Sequence, residues 1–235
     1  AMQITEHGPL RASLVFTYQI GTGSTLAQTI ALNAVSARLD FACEAHWQER
    51  HKFLKVEFPV DVRAEQATYE IQFGNVQRPT HFNTSWDLAR FEVCAQRWAD
   101  LAEPDFGVAL LNDCKYGYAV HRNVMRLSLL RAPTYPDPQA DLGHHAFRFA
   151  LLPHGGTFRE GDVVAEGYRF NAPLIVRPTA AATQTHSFFT VDKPSVIIET
   201  VKKAEDGGGL IVRLYEAHGT RARTRLSSSL PITKA

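Results

Sequence analysis

With 235 residues, a net charge of +1 and 21% charged side chains, the chain has room for one large all-β domain or two small domains, and its charge is that of an ordinary globular protein. No basic patch dominates, which argues against nucleic acid as a partner, and no apolar run reaches the ~18 residues that a membrane span needs. Cys43, Cys94 and Cys114 are odd in number and widely spaced. They form neither a disulfide framework nor a metal knuckle, and read as reduced, mostly buried thiols of a cytoplasmic protein.

The N-terminus has no apolar signal region, and Ala1 before Met2 reads as an expression or processing scar. From there the apolar period is two. "SLVFTYQI" puts Leu14, Phe16, Tyr18 and Ile20 on one face, and "GTG" at 21–23 signals a hairpin turn. "RLDFACEAHW" aligns Leu39, Phe41, Cys43, Ala45 and Trp47. "FLKVEFPV" aligns Leu54, Val56 and Phe58, and "TYEIQFG" aligns Tyr69, Ile71 and Phe73. "SWDLARFEVCAQRWADL" has Leu88, Phe91, Ala95 and Trp98 at helical spacings. Its surroundings favour a strand through Phe91-Glu92-Val93, and no long amphipathic helix is expected anywhere.

"EPDFG" at 103–107 and "RAPTYPDPQADLGHH" at 131–145 read as long polar loops, and "FRFALL" aligns Phe147, Phe149 and Leu151. A small-residue linker from Arg177 to Ser187 separates a final segment that includes "SVIIETVKKA" and "GLIVRLYEAHG". That segment reads as about three strands, too few for a confident core of their own. Many short strands between turn signals imply a sandwich or barrel.

Sites are harder to read. Asp137, Asp141, His144, His145 and His154 form the best acidic-histidine cluster, but the spacing fits no standard metal motif. His46 and His51 read as exposed strand histidines. No nucleophile elbow or phosphate loop is present, and "DGGGL" at 206–210 is a flexible turn. Asp87, Glu92, Asp100, Asp113, Asp137 and Asp141 are carboxylates that could make a glycosidase pair, with nothing to mark one as buried. "THFNTSW", "LLNDCKYGY" and "PTYPDPQADLGHH" have the aromatic and planar polar composition of a sugar surface. Trp47, Trp86 and Trp98 taken singly read as packing aromatics.

Together the segments are more specific. "W-x-E-R-H-K-x-L-K", "F-G-x-x-x-R-P-T-H" and "L-L-N-D-C-K-Y-G-Y", in order and across nearly the whole chain, resemble the C-terminal β-region of α-mannosidases of glycoside hydrolase family 38, its cytosolic or bacterial branch. The resemblance implies an all-β fold: a large two-sheet supersandwich of the galactose-mutarotase type over 1–178, then part of a smaller β-sandwich over 186–235. It implies that zinc and the nucleophilic Asp belong to a separate N-terminal catalytic domain, so this chain holds no catalytic residue or metal ligand and is inactive alone. "SSSLPITKA" at the end, where the family continues, is expected to mark a fragment.

The resemblance also gives the chain a task. It buttresses the catalytic domain and lends loops to a site for mannose-containing oligosaccharides. By position, Arg131 is similar to an arginine reaching toward that site, with Asp137 and Asp141 in its loop. His81, Asn83, Trp86 and Asp87 form a second group of substrate-binding candidates, and Lys115 with Tyr116 a third. Each has a structural alternative as a loop-fixing or interface contact. A stand-alone carbohydrate-binding or mutarotase-like module, using His81 or His144 with Asp87 or Asp141, is the alternative function. A purely structural interface domain is a further one. A homo-oligomer is left open.

Overall fold

The computed structural model describes residues 1–179 and 184–232, so part of the expected linker lies outside the described residues. In chain order the elements are β1 (Met2–His7), β2 (Arg11–Ile20), β3 (Ser24–Asn33), β4 (Leu39–Trp47), β5 (Leu54–Pro59), β6 (Gln66–Ile71), β7 (Gly74–Pro79), the single turn α1 (Ser85–Ala89), β8 (Val93–Cys94), β9 (Trp98–Ala102), β10 (Phe106–Asn112), β11 (Gly117–His121), β12 (Val124–Leu130), β13 (Gly143–Gly155) and α2 (Val163–Asn171). Four short strands follow: β14 (Phe189–Val191), β15 (Val196–Lys203), β16 (Leu210–Glu216) and β17 (Leu226–Ser228). The fold is all-β, as expected.

Nine strands form one sheet in the order β1-β2-β3-β4-β13-β10-β9-β6-β7, and four form another, β5-β12-β11-β8. Alternation puts Phe41, Cys43, Ala45 and Trp47 of β4 on the inner face of the large sheet, beside Phe147 and Phe149 of β13. Val56, Phe58, Tyr118, Met125 and Leu127 of the small sheet pack into the same core. Phe41 stacks on Phe149 at 4.9 Å and meets Phe58 at 5.5 Å, and Tyr69 meets Tyr118 edge-on at 6.4 Å. Each such fully buried side chain contributes about 1.5–3 kcal/mol relative to exposure, so this two-sheet core is the main source of stability.

The large sheet also buries part of its other face. There α2 covers Trp98, Leu111 and Leu152 with Val163, Val164 and Phe170, and Phe158 stacks on Trp98 at 5.4 Å. A Cβ at Gly167 would come within 2.9 Å of the Trp98 ring, so glycine permits the close approach. Arg97 fastens the helix from below. Its Nη2 and Nε donate to Glu70 at 2.6 and 3.0 Å, and its guanidinium lies 3.7 Å from the Tyr168 ring centre.

Several expectations are corrected. The helix α2 was not anticipated: Asp162 at its N-terminus makes no side-chain cap, and its apolar stripe is only Val163, Val164, Gly167 and Phe170. "EPDFG" is a tight hairpin, because Phe106 and Gly107 already belong to β10 and the Glu103 amide donates to the Phe106 carbonyl. Phe73 leaves the strand for a turn at φ 55 and is exposed. Cys43 alone of the three thiols is buried; Cys94 and Cys114 are exposed. Trp47 and Trp98 are core residues, but Trp86 is 75% exposed.

The chain divides into two compact units: Ala1–Glu70 with Val76–Ala172, and Ile71–Asn75 with Pro173–Ala235. Among its described residues the second unit carries four strands, one more than expected, paired as β14–β17 and β15–β16. Phe73 packs edge-on against Tyr215, and Asn75 donates to the Ala217 carbonyl at 2.8 Å.

Candidate functional site

The candidate residues sit at the ends of the four-stranded sheet. At one end β12 finishes at Leu130, opposite Leu54 of β5, and the chain turns out at Arg131. The Asp141 carboxylate closes this loop, since its Oδ2 accepts the Arg131 amide at 3.0 Å and the Ala132 amide at 2.8 Å. The Asp141 carbonyl lies 2.8 Å from His145 Nε2, and the Ala132 carbonyl accepts the His51 amide at 3.3 Å. His51, Ala132 and Asp141 all have left-handed backbones, with φ of 54, 48 and 61. The Arg131 side chain is exposed and makes no hydrogen bond or ion pair among the described residues. Asp137 turns its Oδ1 back to the Gln139 amide at 2.8 Å.

Lys115 and Tyr116 lie at the same end, in the turn between β10 and β11. Buried Asn112 holds this turn. Its Oδ1 accepts the Lys115 amide at 2.6 Å, and its Nδ2 donates to the Gln96 carbonyl at 2.7 Å. Lys115 Nζ lies 4.9 Å from the Phe147 ring centre, and Tyr116 is exposed.

At the opposite end, the Arg122 amide donates to the Thr80 carbonyl at 2.6 Å, and Thr80 Oγ1 donates to the Ala64 carbonyl at 2.7 Å. These bonds anchor the excursion that carries His81, Asn83, Trp86 and Asp87. A Thr84–Asp87 capping box forms α1: the Asp87 amide donates to Thr84 Oγ1 and the Thr84 amide to Asp87 Oδ2, both at 3.1 Å. His81 Nδ1 lies 3.8 Å from Asp87 Oδ2, beyond hydrogen-bond reach, and is enclosed without a hydrogen-bond partner among the described residues. Phe82 stacks on His121 at 4.1 Å. A groove of about 790 Å³ opens beside them, lined by Asp61, Glu65, Thr80, His81, Asn83 and Arg122. Phe82, Trp86, Leu88 and Phe91 stand exposed on this one excursion.

The structure therefore gathers Arg131, Asp137, Asp141, Lys115 and Tyr116 at one end, and His81, Asn83 and Asp87 at the other. The length of β11 separates them, roughly 14 Å at ~3.4 Å per residue.

The six carboxylates are all engaged. Asp87, Asp137 and Asp141 accept backbone amides as described. Glu92 pairs with Lys55 at 2.7 Å and accepts Ser128 Oγ at 2.7 Å, and Asp113 pairs with Arg148 at 3.0 Å. Asp100, which nothing in the sequence marked as buried, faces His154 at 2.7 Å beneath the 156–162 loop. Burial raises the Asp100 pKa, and the His154 hydrogen bond offsets that in part. Among the described residues no three His, Cys, Asp or Glu side chains are placed to share a cation, so the zinc that the resemblance implies has no donor set there. No described helix is long and apolar enough to cross a membrane.

The site thus consists of a two-sheet sandwich whose candidate carboxylates hold loops and cations of their own domain, with exposed polar side chains at the loop ends. Residues 1–139 match the family described as "Glycosyl hydrolases family 38 C-terminal domain", and residues 195–235 match "Glycosyl hydrolases family 38 C-terminal beta sandwich domain". The chain belongs to the family 38 C-terminal domains. It is 51% identical to Alpha-mannosidase 2C1 of Mus musculus over 239 residues, which cover 100% of this chain and 23% of that protein. It is 46% identical to Alpha-mannosidase G of Dictyostelium discoideum, covering 98% of this chain and 22% of that protein. The chain thus spans about a quarter of the length of these curated relatives. An alpha-mannosidase from Enterococcus faecalis V583 has the same fold, with a TM-score of 0.83 at 17% identity over 97% of this chain and 31% of that one.

Proposed function

We propose that this chain is the non-catalytic β-region of an α-mannosidase. It supports an N-terminal catalytic domain and lends loops to the site where terminal α-mannosides are hydrolysed. The observation that carries the reading is the engagement of every candidate carboxylate. A retaining glycosidase needs an acid/base and a nucleophile free to face the sugar, and these six are committed to amides and cations of their own domain. Zinc, the nucleophile and the acid/base belong, in this reading, to the catalytic domain.

Arg131, Lys115 and Tyr116 are the side chains best placed to be offered to a mannose-containing oligosaccharide, with Asp137 at the rim. His81, Asn83 and Trp86, at the other end, belong to a more distant part of the substrate or to the domain interface. Asp87 supports them by capping α1. Phe82, Trp86, Leu88 and Phe91 make the kind of local apolar exposure that marks a contact surface. The division into domains at 1–178 and 186–235 and a cytoplasmic location complete the reading.

Hydrogen exchange tests it. The purified chain is compared alone and after mixing with the separately expressed remainder of the enzyme. Protection is expected over 81–92 and 131–141. Unchanged exchange in both loops would oppose the reading.

A further inference from the structure

The 131–141 loop shows a division of labour between two residues. Arg131 is exposed, with a guanidinium that finds no partner among the described residues. Asp141 is half-buried, and one of its oxygens accepts the amide on each side of the Arg131 Cα, at 3.0 and 2.8 Å, the second being that of the Arg131–Ala132 peptide. The chain around that peptide is costly to form. His51, Ala132 and Asp141 are three of the six non-glycine residues with left-handed backbones among the described residues, and hydrogen bonds join them in one knot. Such conformations are costly for a residue with a Cβ and persist where surrounding structure over-determines them. Here the over-determining contacts are the Asp141 carboxylate, the His145 ring on the Asp141 carbonyl and the His51 amide on the Ala132 carbonyl. All three converge on the point from which the Arg131 side chain leaves the sheet.

We infer that Asp141 is a positioning residue. Its carboxylate fixes the direction of Arg131 through the backbone and does not itself contact the sugar. This rests on the proposal above that Arg131 is presented to the substrate. Two substitutions separate the roles. Asp141→Asn keeps an acceptor oxygen in the same place and suits the left-handed backbone, but removes the charge. Asp141→Glu keeps the charge and moves the carboxylate by one methylene. A positioning role therefore tolerates Asn and suffers from Glu, whereas a charge offered to substrate would give the reverse order.

The test is kcat and KM for an aryl α-mannoside with the full-length enzyme carrying D141N, D141E, R131A and the D141E/R131A double variant, each checked by thermal unfolding. R131A is expected to lower kcat/KM on the order of 10- to 100-fold, the scale of one charge-assisted hydrogen bond. D141E is expected to lower it about 10-fold, as misplacement of a positioned group does, and D141N less than about 3-fold. On the R131A background D141E should add less than about 2-fold, because its effect acts through the missing side chain. D141N worse than D141E, or full multiplication of D141E with R131A, would overturn the positioning role while leaving Arg131 in place. An R131A enzyme with unchanged kcat/KM would overturn the presentation of Arg131, and the role of Asp141 with it.

Discussion

His154 Nε2 lies 2.7 Å from Asp100 Oδ1, and the two side chains are 4% and 2% exposed. They sit on the face of the large sheet covered by the 156–162 loop. Gly107 and Gly161 flank the imidazole so closely that a Cβ on either would fall within 3 Å of the ring. Burial alone would lower the His154 pKa, but the hydrogen bond and charge of Asp100 outweigh it, and the pKa is raised above 6.5. Burial likewise raises the Asp100 pKa above 3.8. The folded pair therefore holds its proton more tightly than the unfolded chain does. A raised pKa contributes stability that is complete below the unfolded value and disappears as pH rises through the folded value. Thermal stability of the chain is expected to fall as pH rises above about 6.5, and the His154→Ala/Asp100→Asn double variant should remove that slope as well as destabilise. Parallel pH profiles for the two proteins would contradict the pairing.

Arg97 and Glu70 make a different kind of joint. Glu70 is 2% exposed and accepts both the Arg97 guanidinium and the Arg97 amide, the latter at 2.6 Å. Arg97→Ala would leave a buried carboxylate without its cation and the Tyr168 ring without its stacking partner. A loss of about 3–5 kcal/mol is expected in urea unfolding. Arg97→Lys should recover only part of it, because an ammonium cannot reproduce the planar fork. A loss below about 1 kcal/mol for Arg97→Ala would show that α2 is held by its apolar face alone.

Trp86 tests the proposed interface. It packs on little, so Trp86→Ala should change the stability of the isolated chain by no more than about 0.5 kcal/mol. The same substitution should weaken association with the remainder of the enzyme by tenfold or more in calorimetry, the scale of an interface hot spot. Equal affinity would place the contact surface elsewhere.

The thiols should differ in reactivity. Burial pushes Cys43 up to about 11; at Cys114, whose residue is exposed, partial desolvation of the thiol and then the neighbouring Asp113 also raise it to about 11. At pH 8 iodoacetamide is expected to label exposed Cys94 first, Cys114 slowly and buried Cys43 last, while all three react in urea. Equal native rates for Cys94 and Cys114 would contradict this order.

The sheets were legible in the sequence because their period is strict. Phe41, Cys43, Ala45 and Trp47 alternate with exposed or half-buried neighbours, and each lies in the core. The helix α2 was not legible, because its burial depends on Trp98, which is distant in sequence. The 85–89 turn was half legible. Thr84 and Asp87 have the spacing of a capping box, yet the apolar residues that follow continue as strands β8 and β9. Asp100 gave no sign of burial, since its partner His154 is on a neighbouring region of the sheet reached only through β10. The family motifs pointed to Arg131, but only the fold shows that Asp141 holds its backbone.

The most direct measurement is hydrolysis of an aryl α-mannoside with added zinc or cobalt, by three samples: this chain alone, the separately expressed remainder of the enzyme alone, and the two mixed. Turnover in the mixture is expected to exceed that of either part. Turnover by the chain alone would contradict a non-catalytic role, because a catalytic pair would then have to lie among carboxylates that the fold already occupies.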